Sequence, residues 1–268
     1  MRMNQTDKAI SVCYWLTESV DAATVEQLDQ LLSADERERR DRLRSPRQRH
    51  EFTCAHGLLR RTLSDRGDVA PEQWCFEADG YGKPSLVEAQ AGSPAFTFNI
   101  AHTDGLVACA TGRGAAVGVD VERINRMSPD GHPGASYFSP SEINMLEGCS
   151  NDLYPTRFIE LWTLKEAFIK ATGRGLSHPL HSFSFAFDEP SLICFVPPPA
   201  VVASSWQFLL AAPTPDHRLA VAVNCDSDDR SPIKISNVGV DAQTRFALIR
   251  ISPRLAVEVS CLSAVEAC

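Results

Sequence analysis

Two carboxylates on a short predicted strand have the residue types and spacing that best suit metal chemistry. The segment G-V-D-V-E at 118–122 alternates apolar and acidic residues, which predicts a strand. Side chains two residues apart on a strand point to the same face, roughly 7 Å apart, so Asp120 and Glu122 lie side by side. Such carboxylates repel each other unless a cation lies between them, and oxygen ligands without His or Cys favour Mg²⁺ over zinc. The same pattern also fits a solvated strand end.

A predicted helix at 155–171 supplies the next candidates. Within its W-T-L-K-E-A-F-I-K segment, Glu166 and Lys170 are four residues apart and therefore lie on one side of the helix, one turn from each other. On a surface helix such a pair contributes only modest stability. Here the pair lies among large apolar residues, and a glycine-flanked Arg174 follows the end of the helix at Gly173. These two features favour a role in binding.

Positive charge that suits phosphate is concentrated in one segment. Of the 26 Lys and Arg residues in the whole chain, ten are arginines within residues 36–66. The segment is predicted to be helical, with apolar residues on one side. Its arginines form either a solvated face or a phosphate-binding edge, because the Arg fork matches phosphate oxygens. His102, at the end of a predicted strand, is a further candidate, although a lone His is more often structural.

The periodicity of the whole chain predicts an α+β fold that positions these residues. Helices are predicted near 25–32, 36–66, 139–146 and 155–171, and strands at 10–16, 74–77, 96–100, 106–111, 117–121, 183–187, 192–196, 206–210 and 219–223. A Pro- and Gly-rich stretch at 127–134 is predicted to be flexible. Because helices followed by strands occur twice, we expect two similar α/β halves, at 1–118 and 119–225. Strand-like patches in an extension at 226–268 have no evident place in this scheme.

Composition excludes several classes of protein. The 268 residues are 44% hydrophobic and 22% charged, as in an ordinary globular chain, and the formal net charge of -8 argues against general nucleic-acid binding. The nine cysteines include no C-x-x-C pair, which argues against a disulfide framework and a zinc site. The first residues lack the apolar core of a signal peptide, and no run of 18 apolar residues occurs. We therefore expect a cytoplasmic protein without a membrane partner.

Three motifs, in order and spacing, resemble the large monomeric, surfactin-type class of 4'-phosphopantetheinyl transferases. The first is Gly82-Lys83-Pro84 with the F-N-I-A-H block at 98–102, the second is G-V-D-V-E, and the third is W-T-L-K-E-A-F-I-K-A-T-G-R-G-L at 162–176. The resemblance covers residues from about 80 to 185. It implies a monomer with a fold of two similar α/β halves and coenzyme A bound between them.

The resemblance implies a transfer reaction that requires Mg²⁺. The phosphopantetheine group of coenzyme A passes to a serine of an apo acyl, aryl or peptidyl carrier protein, and 3',5'-ADP is released. In this family pattern Asp120, Glu166 and Glu122, the last directly or through water, hold Mg²⁺ against the pyrophosphate. Glu166 also matches the base that takes the serine proton, although Glu122 or water is an alternative. Lys170 matches the lysine that contacts the pyrophosphate.

The same resemblance implies a set of contacts to coenzyme A. Lys83 and His102 are expected to bind phosphate oxygens, His102 at the 3'-phosphate, and the backbone of 82–84 is expected to pass near the adenine. The remaining predicted contacts are Gly82, Pro84, Asn99, Lys165 and one of the arginines Arg44, Arg47 and Arg49. Ala101 replaces the serine usual in the family, so one hydroxyl contact to the ligand is lost.

Two other functions use the same residues. A Mg²⁺-dependent phosphodiesterase could employ the three carboxylates without a carrier protein, and an inactive coenzyme A or carrier-binding module could keep the fold without turnover. The resemblance implies carriers of fatty-acid, polyketide or nonribosomal-peptide biosynthesis. We expect a carrier to dock on the segment 127–157 and on the exposed side of the helix 155–171.

Overall fold

The chain forms two compact units, each a mixed sheet with helices packed against it. The structure, a computed structural model, describes residues 9–78, 83–124, 137–173, 179–188, 192–224, 232–238, 247–251 and 257–262. The first unit comprises 1–114, 231–244 and 256–268, and the second comprises 115–230 and 245–255. Each unit mixes helices and strands, so the predicted α+β class is confirmed. The observed division falls at Gly114/Ala115, four residues before the predicted one.

The helices of the described residues are α1 (Ala22–Leu31), α2 (Ala34–Asp41), α3 (Pro46–Ser64), α4 (Glu88–Ala91), α5 (Pro140–Glu147) and α6 (Tyr154–Thr172). The strands are β1 (Ile10–Leu16), β2 (Phe76–Ala78), β3 (Pro84–Leu86), β4 (Phe96–Thr103), β5 (Leu106–Arg113), β6 (Ala116–Arg123), β7 (Ser184–Asp188), β8 (Leu192–Val196), β9 (Trp206–Ala212), β10 (His217–Asn224), β11 (Ile233–Val238), β12 (Ala247–Ile251) and β13 (Val257–Leu262). Two features identified in the sequence, the stretch 127–134 and Arg174, lie outside the described residues.

The first unit packs α3 on a five-stranded sheet of order β13-β11-β1-β5-β4. The apolar residues of α3 recur at helical spacing, and Cys54, Leu58 and Leu63 are all fully or almost fully buried. They pack in one core cluster with sheet residues that include Trp15 and Val107. A long helix therefore lies across the sheet whose β4–β5 end carries His102.

The basic segment forms two helices, whereas the sequence predicted one continuous helix over 36–66. Helix α2 ends at Asp41, and α3 begins with Pro46 in its first turn. Proline lacks a backbone N–H and disfavours helical conformation in the residue before it, so the helix must break there. The break places Arg44 between the two helices and Arg47 in the first turn of α3.

A buried carboxylate joins the two helices of the basic segment. Glu36 is 1% exposed and accepts hydrogen bonds from His56 Nδ1 at 2.8 Å and Arg60 Nη2 at 2.7 Å, as well as from the backbone N–H of Ser33 at 2.8 Å. Burial alone would raise the pKa of Glu36, but these donors lower it to about 2. Glu36 and Arg60, two charged residues of the arginine-rich segment, thus have a structural role.

The second unit packs α6 on a six-stranded sheet of order β6-β10-β9-β12-β8-β7. A Cβ atom at Gly118 in β6 would lie 2.1 Å from the backbone O of Ala167 in α6. Only glycine allows this contact, so β6 and α6 are held backbone to backbone. The helix ends at Gly173, whose φ of 71° is the left-handed conformation that glycine adopts readily.

The C-terminal extension contributes strands to both sheets and is not a separate third domain. Strand β11 pairs in parallel with β1, and β13 pairs in parallel with β11, so both strands extend the first unit's sheet. Strand β12 pairs antiparallel with β9 in the second unit's sheet. The buried side chains of Ile233 and Ile235 make the extension part of the first unit's interior.

Two further findings concern the cysteines and the helices. Cys13, Cys54, Cys75, Cys109, Cys149 and Cys194 are free thiols. Within the described parts of the chain, no helix combines the length and the apolar character needed to cross a bilayer.

Candidate active site

The acidic cluster of the second unit centres on Asp120. This residue lies in the middle of β6 opposite Ala220 of β10, and only 5% of it is exposed. Its Oδ1 accepts a hydrogen bond of 2.7 Å from the Nζ of Lys170 on α6. Its buried Oδ2 has no hydrogen-bond partner among the described residues. One oxygen of the carboxylate is thus neutralised by a lysine, and the other is left for a further ligand.

Glu166, one turn before Lys170 on α6, is the second carboxylate of this cluster. Its Oε1 is also buried without a hydrogen-bond partner in the described part of the chain. Burial raises the pKa of Glu166; the charge of Lys170 opposes this effect, and that of Glu122 adds to it. Burial likewise raises the pKa of Asp120 to about 7. The charge of Lys170 again opposes this rise, and the charges of Glu122 and Glu166 add to it. The cluster therefore carries more negative charge than its lysine offsets.

Glu122 completes the predicted set but has a different environment. It is half-buried, and its Oε1 accepts a hydrogen bond of 3.3 Å from the indole Nε1 of Trp162. The Trp162 ring meets the ring of Tyr137 edge to face, with centroids 5.6 Å apart. Trp162 therefore orients a carboxylate of the cluster. From the sequence it was only one of the large apolar residues around Glu166 and Lys170.

The donor set fits a hard cation that takes further ligands from elsewhere. Within the residues that the structure describes, no three His, Cys, Asp or Glu side chains are grouped closely enough to hold a metal ion by themselves. Two unsatisfied carboxylate oxygens, Asp120 Oδ2 and Glu166 Oε1, are nevertheless buried in this cluster. Mg²⁺ in proteins usually binds one or two carboxylates and completes its shell with water and substrate phosphates. The cluster matches that pattern.

Lys165, predicted to contact coenzyme A, lies fully inside the second unit. Its Nζ donates to the backbone oxygens of Leu180 and Phe183, both at 2.8 Å, and forms an ion pair of 2.8 Å with Glu142 Oε2. Burial lowers the pKa of Lys165, and the Glu142 carboxylate opposes that effect. The ammonium group is thus turned into the protein interior. The sequence predicted only a helix over 139–146 in this region, so Glu142 was missed as a partner of Lys165.

The first unit carries the other predicted contacts near the end of β4. His102 is exposed, whereas Asn99 and Ala101 on the same strand are buried. Lys83 is half-buried and immediately precedes Pro84, the exposed first residue of β3. Gly82 lies outside the described residues.

Of the three candidate arginines, Arg47 forms an ion pair with the turn that follows His102. Its Nη1 lies 2.7 Å from Asp104 Oδ1, and its side chain remains 62% exposed. Arg49 instead donates to the backbone O of Leu43 at 2.7 Å, and Arg44 is exposed on the segment between the helices. Arg47 also lies in the first turn of α3, where backbone N–H groups favour anions.

Comparisons with known proteins agree with these features. The family model described as the 4'-phosphopantetheinyl transferase superfamily matches residues 116–222. The 4'-phosphopantetheinyl transferase HetI of a Nostoc species is 31% identical over 199 residues, which are 74% of this chain and 81% of that relative. The 4'-phosphopantetheinyl transferase Sfp of Bacillus subtilis is 30% identical over 159 residues, 59% of this chain and 68% of that relative. Among solved structures, the holo-[acyl-carrier-protein] synthase of Thermotoga maritima is 17% identical with a TM-score of 0.34, over 54% of this chain and 98% of that chain.

The matched region contains the whole acidic cluster, from β6 to β10. With the identity and coverage of these relatives, the chain belongs to the 4'-phosphopantetheinyl transferase family.

Proposed function

We propose that this chain transfers the 4'-phosphopantetheine group of coenzyme A to a serine hydroxyl of an apo acyl, aryl or peptidyl carrier protein. The observation that carries the proposal is the pair of unsatisfied carboxylate oxygens, on Asp120 and Glu166, beside the ammonium of Lys170. Family membership supports it, because HetI and Sfp are both named 4'-phosphopantetheinyl transferases.

The proposed reaction is a displacement at phosphorus. The serine Oγ forms a bond to the phosphorus that bears the pantetheine group, the bond to the bridging pyrophosphate oxygen breaks, and that oxygen leaves with 3',5'-ADP. Such a transfer needs in-line positioning and neutralisation of charge more than covalent help from the protein. Asp120 and Glu166, with Glu122 directly or through water, would hold Mg²⁺. The bound ion would neutralise charge on the pyrophosphate.

Lys170 and Glu166 have further roles in this proposal. Lys170 already holds Asp120 at 2.7 Å, and its ammonium would stabilise the leaving phosphate. Glu166 would accept the proton of the serine hydroxyl, directly or through a water molecule. Glu122 or a water molecule is the alternative acceptor.

Phosphate contacts in the first unit would bind the rest of coenzyme A. His102, Lys83 and Arg47 are the proposed partners, with Arg47 and His102 at the 3'-phosphate. We favour Arg47 over Arg49 because the Arg49 guanidinium already caps backbone oxygens. Lys165 is left out because its ammonium is enclosed. Gly82, Pro84 and Asn99 remain predicted contacts, and the monomeric state and cytoplasmic location remain predictions.

The test mixes the purified protein with coenzyme A, Mg²⁺ and several apo carrier proteins, and measures the intact mass of each carrier. A mass gain of one phosphopantetheine group is expected with at least one carrier. Asp120→Ala and Glu166→Gln should abolish the gain with little change in the thermal melt, whereas Glu26→Gln, at an exposed carboxylate outside the predicted docking segment, should retain it. Release of 3',5'-ADP without any carrier would indicate a phosphodiesterase. Binding of coenzyme A without either product would indicate an inactive module.

A further inference from the structure

A fully buried ion pair lies inside the second unit. The side chains of Lys165 and Glu142 are both 0% exposed, and Lys165 Nζ is 2.8 Å from Glu142 Oε2. Lys165 is the residue immediately before Glu166 on α6. Lys165 therefore lies on the same helix turn as a proposed Mg²⁺ ligand, whereas Glu142 lies on α5, and the charges of the pair are enclosed by protein.

Both members of the pair have additional partners. Glu142 Oε1 accepts from the backbone N–H of Phe185 at 2.9 Å, and Oε2 accepts from the N–H of Ser139 at 2.8 Å. Lys165 Nζ donates to two backbone oxygens in 180–183 and lies 4.4 Å from the centroid of the Phe183 ring. The pair thus ties the middle of α6 to the start of α5 and to the chain that enters β7.

This arrangement controls the rotation of α6 about its axis. Consecutive residues of a helix point about 100° apart, so Glu166 cannot move around the axis unless Lys165 moves with it. On the side that faces β6, the contact of Gly118 with Ala167 leaves no free space. Lys165 is anchored by three acceptors in the interior, and Lys170 is anchored by Asp120. The direction of the Glu166 side chain is therefore set by the charged contacts of two residues of α6: Lys165, which precedes it, and Lys170, which lies one turn after it.

Stability alone does not account for such a pair. Replacing a buried ion pair with packed apolar residues is often neutral or stabilising, because the desolvation penalty rivals the attraction. A lysine whose ammonium is held by three directed acceptors does, however, fix geometry in a way that an apolar side chain cannot. Displacing a ligand by about 1 Å costs on the order of 100-fold in rate, so this precision matters for Glu166.

We propose that Lys165 and Glu142 are positioning residues, which hold Glu166 at the cation site and make no contact with coenzyme A. This inference rests on the proposed function, since it concerns the same Mg²⁺ site. Loss of a group that orients a metal ligand typically weakens metal binding roughly 10- to 100-fold, and the proposal predicts an effect of that size.

The test uses the full chain with a double substitution, Lys165→Met with Glu142→Gln, which removes both buried charges and keeps an acceptor at 142. Mn²⁺ affinity is measured by electron paramagnetic resonance, and coenzyme A affinity is measured calorimetrically without metal. We expect Mn²⁺ binding to weaken about 10- to 100-fold and kcat to fall, while coenzyme A affinity and its KM stay within about twofold. The control is Arg42→Gln with Glu38→Gln, which removes an exposed ion pair of the first unit.

A second variant keeps the test decisive if the double variant does not fold. Glu142→Asp retains both charges and shortens the side chain by one methylene, and we expect a smaller loss of Mn²⁺ affinity in a protein that is less stable than the wild type but still melts cooperatively. Weaker coenzyme A binding with unchanged Mn²⁺ affinity would overturn the proposal and make Lys165 a ligand contact. A folded variant with wild-type Mn²⁺ affinity and kcat would also overturn it. A wild-type protein that binds Mn²⁺ but modifies no carrier would refute the proposed function alone, because Mn²⁺ affinity is read without turnover.

Discussion

Gly118→Ala tests whether the close contact between β6 and α6 creates the acidic cluster. The new Cβ would lie 2.1 Å from Ala167 O and 2.5 Å from Ala171 N. Both are backbone atoms of α6, so no side-chain rotation relieves the clash. Since carbon and oxygen approach to about 3.3 Å, the strand and the helix must separate by about 1 Å.

The expected effects follow from that displacement. Overpacking of this kind typically destabilises a protein by about 1–3 kcal/mol. Asp120 lies on β6, whereas Glu166 and Lys170 lie on α6, so the separation pulls the cluster apart. A misplacement of about 1 Å costs on the order of 100-fold in rate, and we expect kcat for carrier modification to fall by that factor.

The assay compares thermal melts and carrier modification rates of the wild type and two variants. The matched control is Gly148→Ala, because Gly148 is exposed, has a φ of -79° and offers a new Cβ its nearest contact at 3.4 Å. The control should keep the melting temperature and the kcat of the wild type. Because Gly148 lies in the predicted docking segment 127–157, a change in its KM for the carrier does not count against the reasoning. A Gly118→Ala protein with unchanged melting temperature and kcat would refute the reasoning that the backbone contact positions these carboxylates.

Three further predictions address the first unit and the extension. Arg47→Ala should raise KM for coenzyme A about 10- to 100-fold but leave KM for 3'-dephospho-coenzyme A unchanged, since one charge-assisted hydrogen bond contributes about 1.5–3 kcal/mol. Arg44→Ala, at the exposed alternative arginine, should change neither KM, and equal effects of Arg47→Ala on both substrates would contradict the assignment. The pKa of Glu36 is about 2 in the folded protein against a usual 4.5, and this difference corresponds to about 3 kcal/mol of stability of the folded protein. That contribution is complete above pH 4.5 and is lost as the pH falls towards 2. Acid unfolding followed by circular dichroism should therefore be less steep for Glu36→Gln than for the wild type, and identical curves would count against this contribution. Truncation that removes 226–268 should leave the chain unable to fold, because Ile233 and its neighbours are buried against β1; a cooperative melt of the truncated protein would show otherwise.

Much of the fold could be predicted from local sequence patterns. The strands that pair with segments far away in the sequence could not be placed in this way. The alternation in β6 and the helical spacing of α6 are properties of short segments, so both elements are found where expected. Strand β11 pairs with β1, and the partners Ile10 and Ile233 are more than two hundred residues apart. No local signal specifies such a partner, which explains why the extension could not be placed from its sequence.

The site shows the same division between local and tertiary information. The i, i+4 spacing placed Glu166 and Lys170 on one side of a helix, but their proximity to Asp120 depended on the packing of α6 on β6. A helix was predicted over 139–146, and the structure has α5 there, with Ser139 and Glu142 forming a capping box at its start. The second role of Glu142, as the partner of Lys165, arises only from tertiary packing. A sequence pattern alone therefore could not separate a buried lysine from a ligand-binding one.

The most direct test of the cation site is pulsed electron paramagnetic resonance of Mn²⁺ bound to the full chain with coenzyme A. If Asp120 and Glu166 hold the ion against the pyrophosphate, the spectrum of the wild type shows coupling to phosphorus. That coupling is then lost in Asp120→Asn and Glu166→Gln and kept in Asp152→Asn. Phosphorus coupling that persists unchanged in both cluster variants would contradict the assignment of these carboxylates.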